Sequence, residues 1–267
     1  MKRVTRGARR CGHWVAVVST CSLMLVVAAN GPADAAGCAL EPQGEGRVVE
    51  IIDARTFRLA DGREVVLAGI EPVVTEKATR TSALSAILAG RDVTLRGEDD
   101  TPDRYGRQPA FVFLAPSETL VQGQLLAQGE ALFSGAVTDK DCASVLTAAE
   151  AEARQAKRGT WADPTAIKNA ESPGDILTGI GRFTVVEGRV LSVRQAGATT
   201  YLNFGRSWTR GFAATISRRM VAAFEAAGTG VKSFENRRIR VRGFVEARGG
   251  PRIELLRVGQ VELLGGN

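Results

Sequence analysis

Residues 46 to 56 read GRVVEIIDART, an apolar run that predicts a β-strand and turns polar at Asp53. A second strand is predicted over Thr56–Leu59. The dipeptide Asp61-Gly62 is a hairpin signal, after which the chain returns over Glu64–Ala68 as a third strand. The folded part of the chain is therefore expected to begin as a meander of three short strands.

The remainder of the first half adds two strands and three helices. The strands are predicted over Val93–Leu95 and Ala110–Leu114, and the helices near Glu76–Leu88, Leu120–Gln128 and Cys142–Lys157. Five strands with late helices are typical of a small OB-type barrel decorated by helices.

The second half is also rich in strands. A helix over Arg218–Ala227 stands between the third and fourth of five strands, which is the order of an OB barrel. We therefore predict a mainly β fold with α (α+β), made of two tandem OB-type five-stranded barrels. The strands of the second half are predicted over Thr184–Val193, Thr199–Phe204, Phe212–Ile216, Arg238–Glu246 and Arg252–Leu256.

Three motifs of the first half, in their order and spacing, resemble the staphylococcal nuclease (thermonuclease-like, SNase-like) family. They are GRVVEIIDART at 46–56, VVLAGIEP at 65–72 and DRYGR at 103–107. The segment RGTWADP at 158–164 is similar to the C-terminal end of that family. The resemblance predicts an SNase-like OB domain over 36–164. A turn-rich linker is expected over 165–181, and a basic OB-like domain over 182–267.

The resemblance implies a calcium-dependent phosphodiesterase site. Nucleases of this family hold Ca²⁺ with carboxylates, use a glutamate to activate or position water, and stabilise the charge on phosphorus with two arginines. In this sequence Asp53 and Glu71 match metal-binding positions, and Arg107 matches the second catalytic arginine. Calcium is the expected cofactor if the site functions. Two roles stay open for Arg107: catalysis, or a structural ion pair with Asp53 or Glu71.

Several positions of that site carry a different residue here. The metal loop of the family reads Asp-Gly-Asp-Thr, whereas residues 53–56 read Asp-Ala-Arg-Thr, so Arg55 stands where a direct ligand belongs. This exchange puts a positive charge beside the cation and opposes metal binding. Val66 occupies the first arginine position, and a valine occupies the glutamate position. The sequence therefore predicts a degraded catalytic site.

The N-terminal residues have the pattern of an export signal. A basic head precedes an apolar run from Trp14 to Ala29, and Ala33 and Ala35 suit a signal peptidase. We expect residues 1–35 to be cleaved and the protein to be periplasmic or secreted, with no membrane span after cleavage. His13 is the single histidine and leaves with this segment, which excludes histidine bases and histidine metal ligands from the mature chain.

Two cysteines remain after that cleavage, Cys38 and Cys142. Two cysteines in an exported chain are expected to form one disulfide, which here would tie the mature N-terminus to the third helix of the first half. The alternative is a pair of free, buried thiols.

Basic residues are concentrated in the second half. Residues 36–174 carry 15 basic and 21 acidic side chains, whereas residues 175–267 carry 15 basic and 7 acidic ones. A polyanion would therefore prefer the second half. Strand alternation predicts an outward-facing basic stripe beside exposed aromatic and amide groups, the combination that binds single-stranded nucleic acid. The predicted binding residues are Tyr201, Asn203, Trp208, Arg238, Arg240 and Arg242.

Three functions remain open on this sequence. The first is an exported thermonuclease-like protein with a degraded site, non-catalytic or weakly active, that binds nucleic acid. The second is an active Ca-dependent endonuclease. The third is an envelope module that binds protein or glycan. The predicted nucleic-acid-binding surface also has a structural alternative, in which Glu246 and Glu254 pair with the arginines of the stripe and Trp208 folds onto the core.

Overall fold

The computed structural model of the protein describes residues 38, 40–73, 81–207 and 209–265. The predicted signal peptide, residues 1–35, and the predicted binding residue Trp208 lie outside these ranges. The described residues belong to one compact unit. Among them, no helix combines the length and the apolar character that crossing a bilayer requires.

The first half folds around a closed five-stranded barrel, which confirms the prediction. The strands of this half are β1 (Glu41–Ile51), β2 (Thr56–Leu59), β3 (Glu64–Leu67), β4 (Ile70–Pro72), β5 (Asp92–Gly97), β6 (Gln108–Leu114), β7 (Thr119–Leu120) and β8 (Ala131–Phe133). The barrel consists of β1, β2, β3, β5 and β6. β1 pairs antiparallel with β2 and β5, β2 with β3, and β5 with β6. A parallel pairing of β3 with β6 closes the ring. β4 pairs with β8 beside the barrel.

Three helices pack against this barrel: α1 (Ser82–Leu88), α2 (Val121–Gln128) and α3 (Lys140–Gln155). The start of the helix predicted near Glu76 lies outside the described residues. α3 begins after Asp139, whose carboxylate accepts the Cys142 backbone N–H at 2.7 Å. Cys142 also forms the predicted disulfide with Cys38. The start of the described chain is thereby tied to the first turn of α3.

The second half has the predicted order of strands around a barrel-like sheet that is not closed. Its elements are β9 (Ile167–Asn169), α4 (Pro173–Leu177), β10 (Phe183–Arg189), β11 (Ser192–Ala196), β12 (Thr199–Asn203), β13 (Ala213–Ser217), α5 (Arg218–Ala226), β14 (Arg238–Ala247), β15 (Pro251–Leu255) and β16 (Val261–Leu263). The sheet runs β11-β12-β13-β15-β14-β10-β9, and β16 pairs with β14. The first predicted strand is divided at Val190 and Leu191. Its two parts pair with different strands, β10 with β14 and β9, and β11 with β12.

The segment expected to be a linker, residues 165–181, contains β9 and α4. β9 extends the second sheet by pairing parallel with β10. Ala170 and Ile176 are buried in the apolar core of the second half. This segment therefore packs as part of that half.

The two halves share an apolar cluster and a close backbone contact. Leu132, Ala153 and Trp161 of the first half pack with Val185 of the second. The backbones also meet where Gly135 faces Gly259, so closely that a Cβ atom on Gly135 would lie 2.5 Å from the Gly259 carbonyl oxygen. Packing of this kind fixes the two sheets against each other.

Candidate functional site

Arg55 and Glu71 form an ion pair at the positions where the family pattern places metal ligands. The Arg55 Nη1 atom donates to Glu71 Oε1 at 2.7 Å. Arg55 lies in the turn between β1 and β2, where the Asp53 Oδ1 atom accepts the Arg55 backbone N–H at 2.8 Å. Glu71 lies on β4. The Asp53 carboxylate thus stabilises the turn, and the Arg55 guanidinium neutralises the Glu71 carboxylate.

The charges at this site do not suit Ca²⁺. Burial raises the pKa of Glu71, while the charge and the hydrogen bond of Arg55 act in the opposite direction. A carboxylate oxygen that accepts a charged hydrogen bond is not free for a metal, and the guanidinium repels a cation. Within the described ranges, no three His, Cys, Asp or Glu side chains are grouped to hold a metal ion. Asp53 and Glu71 therefore do not fit a Ca²⁺ site, which needs about six to eight oxygen ligands.

Arg107 is held within its own turn. Its Nε and Nη2 atoms donate to Asp103 Oδ2 at 2.9 and 2.7 Å, and its backbone N–H donates to Asp103 Oδ1 at 3.0 Å. This hydrogen bonding holds the pKa of the Asp103 carboxyl below its ordinary value. Of the two roles left open for Arg107, the geometry favours the structural one.

The partner of Arg107 differs from the one expected. Asp53 and Glu71 were the predicted alternatives, but Glu71 is bonded to Arg55. The charge of Asp53 is near enough to raise the pKa of Arg107 without forming the ion pair. Asp103 forms that pair because it lies four residues before Arg107 in the same tight turn.

Arg240 and Arg242 are buried, so the prediction of an exposed arginine stripe is wrong for these two residues. The Arg240 Nε atom donates to Glu187 Oε1 at 2.8 Å, and its Nη1 atom donates to Glu262 Oε2 at 2.6 Å. The Arg242 Nη1 atom donates to Glu150 Oε2 at 2.9 Å. Both guanidinium groups are neutralised and shielded from solvent.

The physical reason lies in what covers β14. Strand alternation does place Ile239 and Val241 in the core of the second half, as expected. The opposite face of β14, however, packs against α3 and carboxylates of the neighbouring strands. The predicted acidic partners are also different, since Glu246 pairs with Arg248 at 3.2 Å. Arg238, at the end of β14, is 61% exposed and lies 3.7 Å from a Glu187 oxygen.

Tyr201 and Asn203 lie on the side of β12 away from the core. Tyr201 is half-buried, and the Arg252 Cζ atom lies 5.3 Å from the centre of its ring. Asn203 is largely buried, and its Nδ2 atom donates to Ser192 Oγ at 3.3 Å. Asn203 is therefore less accessible than strand alternation predicts.

Arg194 and Arg252 are absent from the predicted binding set, yet both lie on the same outer side as Tyr201. Their neighbours Val193 and Ile253 point into the core. Strand alternation in β11 and β15 is therefore sufficient to predict that Arg194 and Arg252 face outward. Register then brings Arg194 directly opposite Tyr201.

Comparison with known proteins gives a family match and two relatives. The family model described as Staphylococcal nuclease homologue matches residues 75–163. Two proteins named "Uncharacterized endonuclease", one from Escherichia coli O157:H7 and one from Escherichia coli, are each 32% identical to this chain over 124 residues. The aligned region covers 44% of this chain and 77% of each relative. The region matched by the family model thus ends at residue 163, within the first half.

Proposed function

The chain belongs to the staphylococcal nuclease homologue family, and from this premise we propose that it is an exported member that binds nucleic acid without hydrolysing it. A fold by itself does not carry an activity, because activity depends on the residues placed on it. The proposal therefore rests on what Arg55, Glu71 and Arg107 do in this chain.

The observation that carries the proposal is the ion pair between Arg55 and Glu71. Phosphodiester hydrolysis by this family requires a bound cation, an activated water and cationic groups that meet the charge on phosphorus. The ion pair removes the free carboxylate, and Val66 offers no positive charge. Arg107 is already neutralised by Asp103. A phosphodiester that reached this pocket would therefore not be cleaved.

Two features support export. The N-terminal 35 residues have the composition of a signal peptide. The disulfide between Cys38 and Cys142 belongs to the chemistry of oxidising compartments outside the cytosol. We therefore place the protein in the periplasm or the medium. Proteolytic mapping of the mature N-terminus after expression with the full leader tests this placement.

Incubation of the purified mature protein with single-stranded DNA and millimolar Ca²⁺ tests the absence of hydrolysis. Wild-type protein is expected to leave the DNA intact over hours, with and without chelator. An Arg107→Ala variant serves as the matched control for contaminating nuclease. DNA loss that stops on chelation and is absent from the Arg107→Ala protein would overturn the proposal.

The second candidate is an active Ca-dependent nuclease. It is favoured by the names of the two relatives and by the intact turn that holds Arg107. The same digestion experiment decides between the two functions. A mature protein that neither cuts nor binds DNA at low salt would instead favour the third function, a module for protein or glycan.

A further inference from the structure

We propose that the outer surface of β11 and β12, together with Gly205 and Arg206, is a binding site for single-stranded nucleic acid. We call this surface the β11–β12 face and define it by Arg194, Tyr201, Asn203 and Arg206. The inference deepens the proposed function and rests on its binding part. The cations of this face are Arg194 and Arg206, in place of the buried Arg240 and Arg242 of β14.

The two strands place an arginine beside an aromatic ring. Arg194 on β11 is directly opposite Tyr201 on β12 in the antiparallel register. Their neighbours Val193 and Leu202 fill the core, so both Arg194 and Tyr201 point outward. Side chains of such a cross-strand pair lie within about 5 Å of each other at Cβ. A phosphate held by Arg194 would therefore have its base within reach of the Tyr201 ring.

A pocket adjoins this pair. Its volume is about 620 Å³, and its lining consists of Leu191, Ser192, Arg194, Asn203, Gly205 and Arg206. This volume falls within the range of roughly 300–1,000 Å³ that is common for small-ligand sites. The Asn203 amide lies in its wall, hydrogen-bonded to Ser192 Oγ. Two cations at the rim and an amide in the wall suit a nucleotide, which presents a phosphate and a polar base edge.

The arginines of this face differ from those of β14 in their charge balance. Arg240 and Arg242 are fully engaged with carboxylates. Arg194 and Arg206 are exposed, and no carboxylate forms an ion pair with either of them in the part of the chain that the structure describes. Their charge is therefore available for a polyanion, and releasing the counterions of the nucleic acid would favour binding.

The ring of Tyr201 is held in place by a further cation. The Arg252 Cζ atom on β15 lies 5.3 Å from the ring centre. A stacking ring that is already held in place reduces the entropy lost on binding.

Single strands fit this surface better than duplex. Stacking on Tyr201 requires a base that is free of its own stack, and the exposed surface of a sheet does not enter the major groove as a helix does. The occupant is therefore a flexible single strand whose phosphates contact Arg194 and Arg206. Binding should depend on salt and only weakly on sequence.

Fluorescence anisotropy of a labelled oligothymidylate with the mature protein tests the site. The double variant Arg194→Ala with Arg206→Ala is expected to bind at least about tenfold more weakly than wild type. The slope of log affinity against log salt should fall by about 1.4, because two phosphate contacts are lost. The matched control is Arg218→Ala with Arg219→Ala, which removes the same charge from exposed residues of α5 outside the face and should change affinity less than about twofold.

Tyr201→Leu separates stacking from charge. It is expected to weaken binding about fivefold or more while leaving the salt slope unchanged, since a ring contact releases no counterions. Equal losses in the two arginine double variants, or tighter binding of duplex than of single strand, would overturn the site and leave the proposed function intact. Failure of wild-type protein to bind would overturn both, whereas chelator-sensitive cleavage of the oligonucleotide would overturn the absence of hydrolysis alone.

Discussion

The Arg242 Nη1 atom lies 2.9 Å from Glu150 Oε2, and both side chains are almost wholly excluded from solvent. The same Nη1 atom donates to the Phe133 carbonyl oxygen at 2.8 Å, and Glu150 accepts the Phe133 backbone N–H at 2.8 Å. Arg242 comes from β14 of the second half, and Glu150 comes from α3 of the first. A single buried ion pair with satisfied hydrogen bonds thus joins the two halves.

Removal of the arginine from this pair is expected to destabilise the whole protein. Arg242→Met should lower the free energy of unfolding by about 3 kcal/mol, because it leaves the Glu150 carboxylate buried with only Arg154 at 3.6 Å. Urea unfolding followed by circular dichroism measures the change. Arg248→Ala, which breaks an exposed ion pair, should cost less than about 1 kcal/mol.

The paired replacement Arg242→Met with Glu150→Leu tests the cause of that loss. It should be less destabilising than Arg242→Met alone, since no charge is left uncompensated. A double variant as unstable as the sum of two single variants would contradict the assignment of this ion pair.

Restoration of the missing carboxylate is expected to restore cation binding. Arg55→Asp would place a third carboxylate near Asp53 and Glu71, whereas Arg55→Gln removes the positive charge without adding a ligand. Millimolar Ca²⁺ should raise the melting temperature of the Arg55→Asp protein, because a ligand that binds the folded state stabilises it. The Arg55→Gln and wild-type proteins should show no comparable rise. An equal shift in wild type would contradict the account of this pocket.

The raised pKa of Glu71 gives a pH dependence of definite sign. Its folded-state pKa lies above the ordinary value of 4.5, mainly because of burial, so the folded protein holds that proton more tightly than the unfolded chain. The contribution of Glu71 to stability is therefore fully present below pH 4.5 and is lost as the pH rises through the folded-state pKa. Glu71→Gln should remove this fall. Urea unfolding from pH 4 to pH 7 measures it, and a difference from wild type that is constant or of opposite slope would refute it.

The contact between Gly135 and Gly259 should tolerate no side chain. Gly135 and Gly181 have nearly equal backbone angles, φ of 74° and 72°, but an added Cβ meets nothing within 4 Å at Gly181. Gly181→Ala should therefore cost about 1–2 kcal/mol from backbone strain alone. Gly135→Ala should cost at least about 1 kcal/mol more, because it separates the two halves. Equal losses in thermal or urea unfolding would show that the backbone contact is unimportant.

Local sequence patterns predicted the helices and strands better than they predicted how those elements pair and pack. The meander from Gly46 to Ala68 and the helix after β13 follow from alternation, turn residues and helical periodicity, which are properties of neighbouring residues. The division of the long strand at Val190 and Leu191 was not visible, because both residues are apolar and fit a continuous strand. Its two parts pair with different strands, β10 with β14 and β11 with β12.

At the candidate site, too, single residues could be predicted from a motif, whereas their partners from distant parts of the sequence could not. The substitution at Arg55 was apparent from one motif, but its partner Glu71 belongs to another strand, 16 positions away. Outward alternation of Arg240 and Arg242 was correct, yet the carboxylate that covers Arg242 lies 92 positions earlier in the sequence. Pairings over such distances depend on how two sheets pack, which no pattern within β14 contains.

The buried bond between α3 and β14 also limits how this molecule can be dissected. A fragment that stopped at Pro164 would expose Trp161 and Leu132 to water and leave Glu150 without its main counterion. Each half consequently covers apolar and charged groups of the other. Neither half should be treated as an independent domain when fragments are designed for expression.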